Sequence, residues 1–151
     1  MISGIPQTVT AASATAITAD ELIGLQDSIP DALQGGACWI MSRATRTAIR
    51  KLKDNEGRYI LNQDATTKWG YTLFGKPVYV SENMNDMVAG KAAIVYGDLS
   101  GLAVKLSEAM EIQILREKFA TQHAVGVVAW TEFDAKVENA QKLAKLVMKA
   151  A

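Results

Sequence analysis

The sequence contains little of the chemistry on which most catalytic and metal sites depend. Its 151 residues include one cysteine, Cys38, and one histidine, His123. A single cysteine excludes a disulfide within the chain, and one cysteine with one distant histidine cannot supply the usual ligand sets of zinc. Cys38 lies in an apolar run between Ala37 and Trp39, where free cysteine typically packs as a small hydrophobic side chain. We therefore expect neither a metal site nor a cysteine nucleophile.

Net charge and long apolar runs are also absent. Lys and Arg number 16, as do Asp and Glu, so the formal charge is zero. This balance excludes a global attraction to nucleic acid or to anionic membranes. No apolar run approaches the ~18 residues of a membrane span, and no positively charged start precedes an apolar segment. The sequence predicts a soluble cytoplasmic chain with no membrane partner.

Motifs for cofactor binding and for covalent catalysis are missing. The sequence has no GxGxxG segment, no GxxxxGK[ST] segment and no serine hydrolase motif, so we expect no cofactor and no small-molecule substrate. The closest carboxylate pairs lie at a helix cap, a turn and a strand end, where solvated carboxylates are common; they are Asp20/Glu21, Asp54/Glu56 and Glu132/Asp134. A small α+β enzyme using such a pair remains the alternative.

The chain contains enough apolar residues to form a folded core. Its apolar fraction is 49% and its mean hydropathy is +0.05, which argues against disorder. Trp39 and Trp130 are predicted to anchor this core, and His123 is interpreted as a strand residue. Trp69 lies in a polar loop, where it either caps the core or forms an exposed interface anchor.

The first helix has clear start and stop signals. Thr18 is a good N-cap, and Glu21 completes a capping box. Leu22, Leu25 and Ile29 follow at helical spacing and predict one buried stripe. Pro30 ends the segment. Residues 1–16 have no helical period, and only residues 7–10 resemble a short strand.

A buried strand at Ala37–Met41 is predicted next, followed by a second helix from a Ser42 cap to about Lys53. One arc of this helix is mostly apolar and consists of Thr45, Ala48, Ile49 and Leu52. The opposite arc is basic and consists of Arg43, Arg46, Arg50 and Lys53. We interpret the basic arc as solvated or facing another subunit. Direct nucleic-acid binding is not favoured, because acidic residues follow at once, but it stays as an alternative function.

Strand patterns occupy most of the remaining sequence. Two strands, 71–74 and 78–81, meet at Gly75-Lys76-Pro77. Further strands are predicted at 92–96, 102–106, 111–118 and 123–133, the last two forming a hairpin through residues 119–122. From about Lys136 the pattern is helical, with Val137, Ala140, Ala144 and Val147 on one stripe. Because strands and helices do not alternate, the class is α+β and a doubly wound parallel sheet is excluded.

Several of these segments, taken in order, resemble the major capsid proteins of tailed bacteriophages that share the Hong Kong 97-type fold. The segments are ITADEL (Ile17–Leu22), WIMS (Trp39–Ser42), KDNEGRY (Lys53–Tyr59), LFGKPV (Leu73–Val78), YGDLS (Tyr96–Ser100), GVVAW (Gly126–Trp130) and FDAK (Phe133–Lys136). The resemblance covers nearly the whole chain, and it depends on the order and spacing of the motifs.

The resemblance implies a structural shell subunit, not an enzyme, whose partners are copies of itself or of a full-length capsid subunit. Residues 17–103 would form the axial domain, and residues 1–16 with 104–151 would form part of the peripheral domain, together one compact unit. Candidate subunit-interface residues are Arg43, Arg46, Arg50, Lys53 and Trp69.

The family's N-terminal arm, extended loop and spine helix have no counterpart in the sequence. Some relatives crosslink through a lysine on that extended loop, and no crosslinking residue is assigned here. Two origins fit this pattern: an excised C-terminal portion, or the product of a decayed prophage gene. The expected location is a virion capsid by origin and the bacterial cytoplasm for this chain.

Overall fold

Seven strands form one mixed sheet, and two further strands form a separate hairpin. The structure, a computed structural model, describes residues 2–53, 56–63, 70–118 and 120–150. It divides into two units, the first comprising Met1–Gly101 with Val137–Ala151 and the second comprising Leu102–Lys136. The two helices are α1 (Ala19–Asp27) and α2 (Arg43–Arg50). The strands are β1 (Gln7–Thr10), β2 (Cys38–Met41), β3 (Asn62–Gln63), β4 (Tyr71–Leu73), β5 (Lys76–Val80), β6 (Ala92–Gly97), β7 (Leu102–Leu115), β8 (Gly126–Val137) and β9 (Leu143–Val147).

The large sheet has the order β1-β9-β6-β2-β5-β4-β3. Strand β9 runs parallel to β1 and antiparallel to β6, and β2 runs antiparallel to β6 and parallel to β5. The predicted α+β class is therefore confirmed. Neighbouring strands in the sheet are often far apart in sequence, so the sheet can form only when distant segments of the chain meet.

The start of α1 follows the predicted capping box. The Thr18 side chain accepts a hydrogen bond from the backbone N–H of Glu21, and the Glu21 carboxylate accepts one from the N–H of Thr18 at 2.8 Å. The same carboxylate also accepts from the N–H of Ala12 at 2.6 Å, which ties the preceding loop to the helix. Leu22 and Leu25 are fully buried, as the stripe predicted.

The core of the first unit centres on Trp39 in β2. Its side chain is fully buried and its ring lies 4.3 Å, centroid to centroid, from the ring of Tyr96 on the paired strand β6. The indole N–H donates to the carbonyl oxygen of Leu73 at 3.1 Å. Cys38 beside it is buried, and burial is the main cause that raises the pKa of its thiol. The predictions of a core tryptophan and a packed cysteine are confirmed.

The β4–β5 connection is a two-residue turn. Phe74 and Gly75 have positive φ angles of 48° and 74°, and Leu73 pairs with Lys76 across the turn. Left-handed conformations at both central residues match the twist of an antiparallel hairpin. The predicted strand pair is confirmed, and Lys76 and Pro77 belong to β5 instead of the connection.

The helix predicted from about Lys136 is wrong. Strand β8 extends to Val137, a 3-10 turn covers Ala140–Lys142, and Leu143–Val147 forms β9. Strand β9 lies between β1 and β6 and buries Leu143 and Leu146 completely. A short apolar run that is buried between two strands gives the same pattern as a helical stripe, so the position in the sheet decides the conformation.

The second unit is the β7–β8 hairpin, which confirms the predicted pairing of these segments. Strand β7 is one continuous strand of 14 residues where two were predicted. Trp130 is 44% exposed, so its prediction as a core anchor is wrong. His123 lies in the turn before β8 with a φ of 51°, so the strand prediction is wrong there too. Trp130 is exposed because, within this unit, a two-stranded sheet has no second layer that could bury either face.

The division into two units differs from the sequence prediction, which separated residues 17–103 from residues 1–16 and 104–151 and expected one compact unit. Residues 1–16 and the segment from Val137 onward group with the large sheet, because β1 and β9 pair with each other and β9 also pairs with β6. The assignment of axial and peripheral roles to these parts stays a prediction.

Candidate subunit interface

The four basic residues predicted at a subunit interface lie along α2, and we call them the basic face. Two of the guanidinium groups stack on one tyrosine: those of Arg46 and Arg50 lie 4.8 and 5.0 Å from the centroid of the Tyr71 ring on β4. The ammonium group of Lys53 lies 5.0 Å from the Tyr59 ring. Arg43, the fourth member, is exposed. The fifth predicted residue, Trp69, lies outside the described residues.

The aromatic contacts hold the basic face in place without neutralising it. Within the described part of the chain, none of the four side chains forms an ion pair. The Nε atom of Arg46 is buried without a hydrogen-bond partner. A cation above an aromatic ring keeps its charge and gains about 0.5–1 kcal/mol at an exposed site. The face therefore presents ordered positive charge.

Helix α2 itself is fixed at its N-terminus. The Ser42 hydroxyl accepts from the backbone N–H of Thr45 at 3.2 Å and donates to the Asp86 carboxylate at 2.6 Å. Thr45 and Ile49 are buried against the core, so the opposite arc is turned outward. The predicted cap and the predicted amphipathic pattern are confirmed, although the helix ends at Arg50, earlier than expected.

An open cleft of about 700 Å³ borders α2. Its charged lining consists of Arg43 and Lys51 from the α2 region and of Glu82 and Asp86 from the loop after β5. The enzyme alternative requires converging carboxylates, but Asp86 binds the Ser42 hydroxyl. Among the described residues, no group of three or more His, Cys, Asp or Glu could hold a metal ion.

The carboxylate pairs singled out by the sequence have ordinary structural surroundings. Glu21 serves the α1 capping box. Glu132 and Asp134 line a shallow depression on the hairpin together with Lys105, and Asp54 lies outside the described residues. No observation in the described part of the chain favours acid–base catalysis at any of them.

A polar cluster lies just after the end of β6, where the chain leaves the large sheet. It was not predicted from the sequence. The Asp98 carboxylate accepts from the backbone N–H of Ser100 at 2.9 Å and from its hydroxyl at 2.7 Å. Lys142 lies 3.6 Å from the same carboxylate and donates to the Ser100 hydroxyl at 2.8 Å. These bonds from Ser100, with a smaller contribution from Lys142, lower the pKa of Asp98. An Asp followed two residues later by Ser signals such a turn, but the lysine comes from far along the chain.

This cluster predicts an acid-sensitive contribution to stability. The pKa of Asp98 is lowered from 3.8, so its stabilising effect is complete above the unfolded pKa and is lost as the pH falls below that value. We expect the melting temperature of Asp98→Asn to fall less steeply than that of the wild type below about pH 4. Thermal melts across a pH series measure this, and Ser100→Ala should reproduce part of the flattening. Parallel profiles for wild type and Asp98→Asn would contradict the assignment.

The hairpin carries a second candidate interface, which we call the hairpin apolar face. Alternate residues of a strand share one face, and on β7 five of these are large, apolar and between 57% and 66% exposed: Val104, Leu106, Met110, Ile112 and Ile114. Strand β8 also exposes large apolar side chains, Val127 and Phe133 on one side and Trp130 on the other. Contiguous apolar exposure of this kind marks surfaces that bind other proteins.

The phage capsid family model matches residues 1–148 of the chain. The chain belongs to the phage capsid family. The resemblance inferred from the ordered motifs is therefore confirmed, and with it the relation of this chain to structural capsid proteins. No curated protein is significantly similar in sequence.

Solved capsid structures share the fold of this family member. The capsid of an empty GTA particle matches with a TM-score of 0.79 at 23% identity, over 95% of this chain and 50% of that one. The capsid of a native GTA particle matches with a TM-score of 0.76 at 24% identity, over 95% and 54%. A structure from Gordonia phage Cozz matches with a TM-score of 0.68 at 14% identity, over 99% and 52%. The α+β fold is thus the Hong Kong 97-type capsid fold, and the chain spans about half the length of these structures.

No helix in the described part of the chain is long and apolar enough to cross a bilayer. For a member of the capsid family, the functional question is how its surfaces contact other protein chains.

Proposed function

We propose that the chain is a structural part of a phage or prophage capsid shell and acts by self-association, with copies of itself or of a longer capsid subunit as partners. The match of the phage capsid family model to residues 1–148 carries this proposal. In this proposal residues 17–103 act as the axial part and residues 1–16 with 104–151 as the peripheral part of the subunit. The chain catalyses no reaction, acts away from membranes and uses no small-molecule substrate.

The hairpin apolar face supports self-association. Its five β7 side chains are each more than half exposed, and hydrophobic surface removed from water contributes about 25 cal/mol per Å². Covering such a face with another protein surface therefore lowers the free energy relative to a monomer that leaves it in solvent. The proposed occupant is a second capsid chain, because family membership makes capsid chains the expected neighbours.

Placing a charge on this face is expected to weaken association. In Ile112→Lys an ammonium group would be desolvated in the contact, which is unfavourable without a partner. We expect the association constant to fall at least about tenfold, which corresponds to ~1.4 kcal/mol. Sedimentation velocity over a concentration series, with electron microscopy of the largest species, measures the effect.

The neighbouring Gln113→Lys is the matched control. Gln113 is also exposed on β7 but points to the opposite side of the strand, so the same charge is added outside the hairpin apolar face. Equal weakening by both substitutions would show that the apolar face is not specifically used. A wild-type chain that stays monomeric at high concentration, and fails to bind a longer capsid subunit, would overturn the proposed function.

Neither alternative function has a specific observation in its favour. The basic face could attract nucleic acid, but the chain has no net positive charge and the acidic residues Asp54 and Glu56 follow this segment directly in the sequence. A carboxylate enzyme would need converging acids in the cleft beside α2, where the Asp86 carboxylate is hydrogen-bonded to Ser42.

A further inference from the structure

The two helices of the first unit carry charges of opposite sign. Residues 17–34 contain four acidic residues and no Lys or Arg; they are Asp20, Glu21, Asp27 and Asp31. Residues 42–53 contain five basic residues and no Asp or Glu; they are Arg43, Arg46, Arg50, Lys51 and Lys53. The zero net charge of the chain therefore conceals a separation of charge between α1 and α2.

The outer side of α1 forms an exposed surface that we call the acidic face. Asp20, Ile23, Gly24 and Asp27 follow the i, i+3, i+4, i+7 spacing of one helix side, and all four are exposed. Ile23, at 44% exposure, is an apolar centre between the two carboxylates. Gly24 has no side chain, so the backbone there can be approached closely. Charges around a small apolar centre are a common composition of interfaces that form and separate.

Neither face finds its counterpart within the same molecule. Across the described residues, Asp20 and Asp27 form no ion pair, and the same holds for the basic face. Helix α1 packs on β1 and β9, whereas the basic face lies on Tyr71 of β4. Strands β6, β2 and β5 lie between β9 and β4, a distance of about 19 Å at ~4.8 Å for each strand spacing.

We propose that the acidic face of α1 in one copy docks on the basic face of α2 in the next copy. The proposal rests on self-association as the proposed function and names the surfaces that it uses. Because the two surfaces differ, the contact is heterologous, and a docked pair still has one acidic and one basic face free to bind further copies. Heterologous contacts build closed rings or open chains.

Tyr71 and Tyr59 have a defined role in this contact. A long cationic side chain loses rotamer freedom when it enters an interface. Stacking on the two tyrosines already restricts Arg46, Arg50 and Lys53 before the partner arrives. The basic face is thus preorganised, and its charges remain available to an acidic surface.

Charge reversal on each face tests the proposal. Asp20→Lys with Asp27→Lys makes the acidic face positive, and Arg43→Glu with Arg50→Glu makes the basic face negative; Arg46 is left unchanged because its Nε is buried. We expect each double variant alone to associate at least about tenfold more weakly than the wild type in sedimentation velocity at about 50 mM salt, where exposed charges are least screened. Circular dichroism verifies that each variant is folded.

Complementation is the decisive measurement. An equimolar mixture of the two double variants juxtaposes opposite charges at every contact, as does one chain carrying all four substitutions. Both are expected to recover association to within about threefold of the wild type, and wild-type association should weaken as salt rises. Glu138→Lys and Lys91→Glu, which change exposed charges outside both faces, should leave association unchanged.

The outcomes separate this inference from the proposed function. If neither double variant associates more weakly, or if the mixture fails to recover, the docking of α1 on α2 is overturned. Association that stays sensitive to Ile112→Lys would then show that the chain still self-associates through the hairpin apolar face. A wild type that does not self-associate at all, at low salt and high concentration, would overturn both.

Discussion

Gly97→Ala is expected to lower the free energy of unfolding by about 3 kcal/mol or more. Gly97 ends β6 with a φ of +142°, a conformation that residues with a side chain rarely adopt. A Cβ atom there would overlap the carbonyl oxygen of Lys142 and lie 2.9 Å from the Cα of Leu143. Both neighbours are backbone, so the clash cannot be relieved by moving a side chain.

The position of Gly97 explains why the substitution should affect the whole first unit. Gly97 pairs with Leu143 of β9 and with Cys38 of β2, so it joins three strands of the large sheet. The adjoining Asp98 N–H donates to the same Lys142 carbonyl at 3.0 Å. An alanine that displaces this carbonyl would disturb the β6–β9 register and the Asp98 cluster together.

Urea denaturation followed by circular dichroism measures the expected loss. Gly24→Ala is the matched control, because Gly24 lies in α1 and, apart from the adjacent residues and the backbone of the helix itself, no heavy atom lies within 4 Å of the place that an alanine methyl group would occupy. We expect Gly24→Ala to stabilise the protein by about 0.5–1 kcal/mol, the difference in helix preference between the two residues. Equal stabilities for Gly97→Ala and the wild type would refute the steric argument.

Trp39→Ala is expected to cost about 3–5 kcal/mol. The side chain is fully buried, and its ring packs on Tyr96 at 4.3 Å and on Phe74 at 6.4 Å between centroids. Truncation would leave a large cavity in the centre of the sheet and would leave the Leu73 carbonyl without the indole donor. Trp39→Phe should cost less, because it keeps an aromatic ring and loses only the donor and part of the volume.

Trp130→Ala provides the contrast within the same chain. Trp130 is 44% exposed on β8, so its removal should change the free energy of unfolding of the first unit by no more than about 0.5 kcal/mol. Both variants can be followed by the circular dichroism signal in urea. If the two tryptophans destabilised the chain equally, the assignment of Trp39 as the core residue and Trp130 as a surface residue would be wrong.

Local sequence signals predicted the segments whose conformation depends on near neighbours. The Thr18–Glu21 capping box, the Ser42 cap and the tight connection between β4 and β5 each involve groups within a few residues of one another, although the turn lies at Phe74-Gly75 and was predicted at Gly75-Lys76-Pro77. Hydrogen bonds and backbone preferences at this range are the same in most folds. The helix starts and the β4–β5 hairpin were therefore predictable.

The candidate interface was only partly predictable. Helical spacing placed the basic residues of α2 on one side, because that spacing is a local property. Their stacking on Tyr71 depends on β4, which lies two strands away from β2 in the sheet. The hairpin apolar face was missed for a related reason: alternating apolar residues on β7 normally indicate a buried side, and only the three-dimensional arrangement shows that side to be exposed.

The sequence by itself determined the capsid family relationship, the α+β class, the two helix starts and the position of the central β2 strand, because these depend on motif order and on short-range physics. The tertiary structure alone decided that Leu143–Val147 is a strand between β1 and β6, that Trp130 is exposed and that Gly97 must be a glycine. Each of these depends on which distant segment lies alongside, and an apolar run has the same composition whether a helix, a sheet or a second chain covers it.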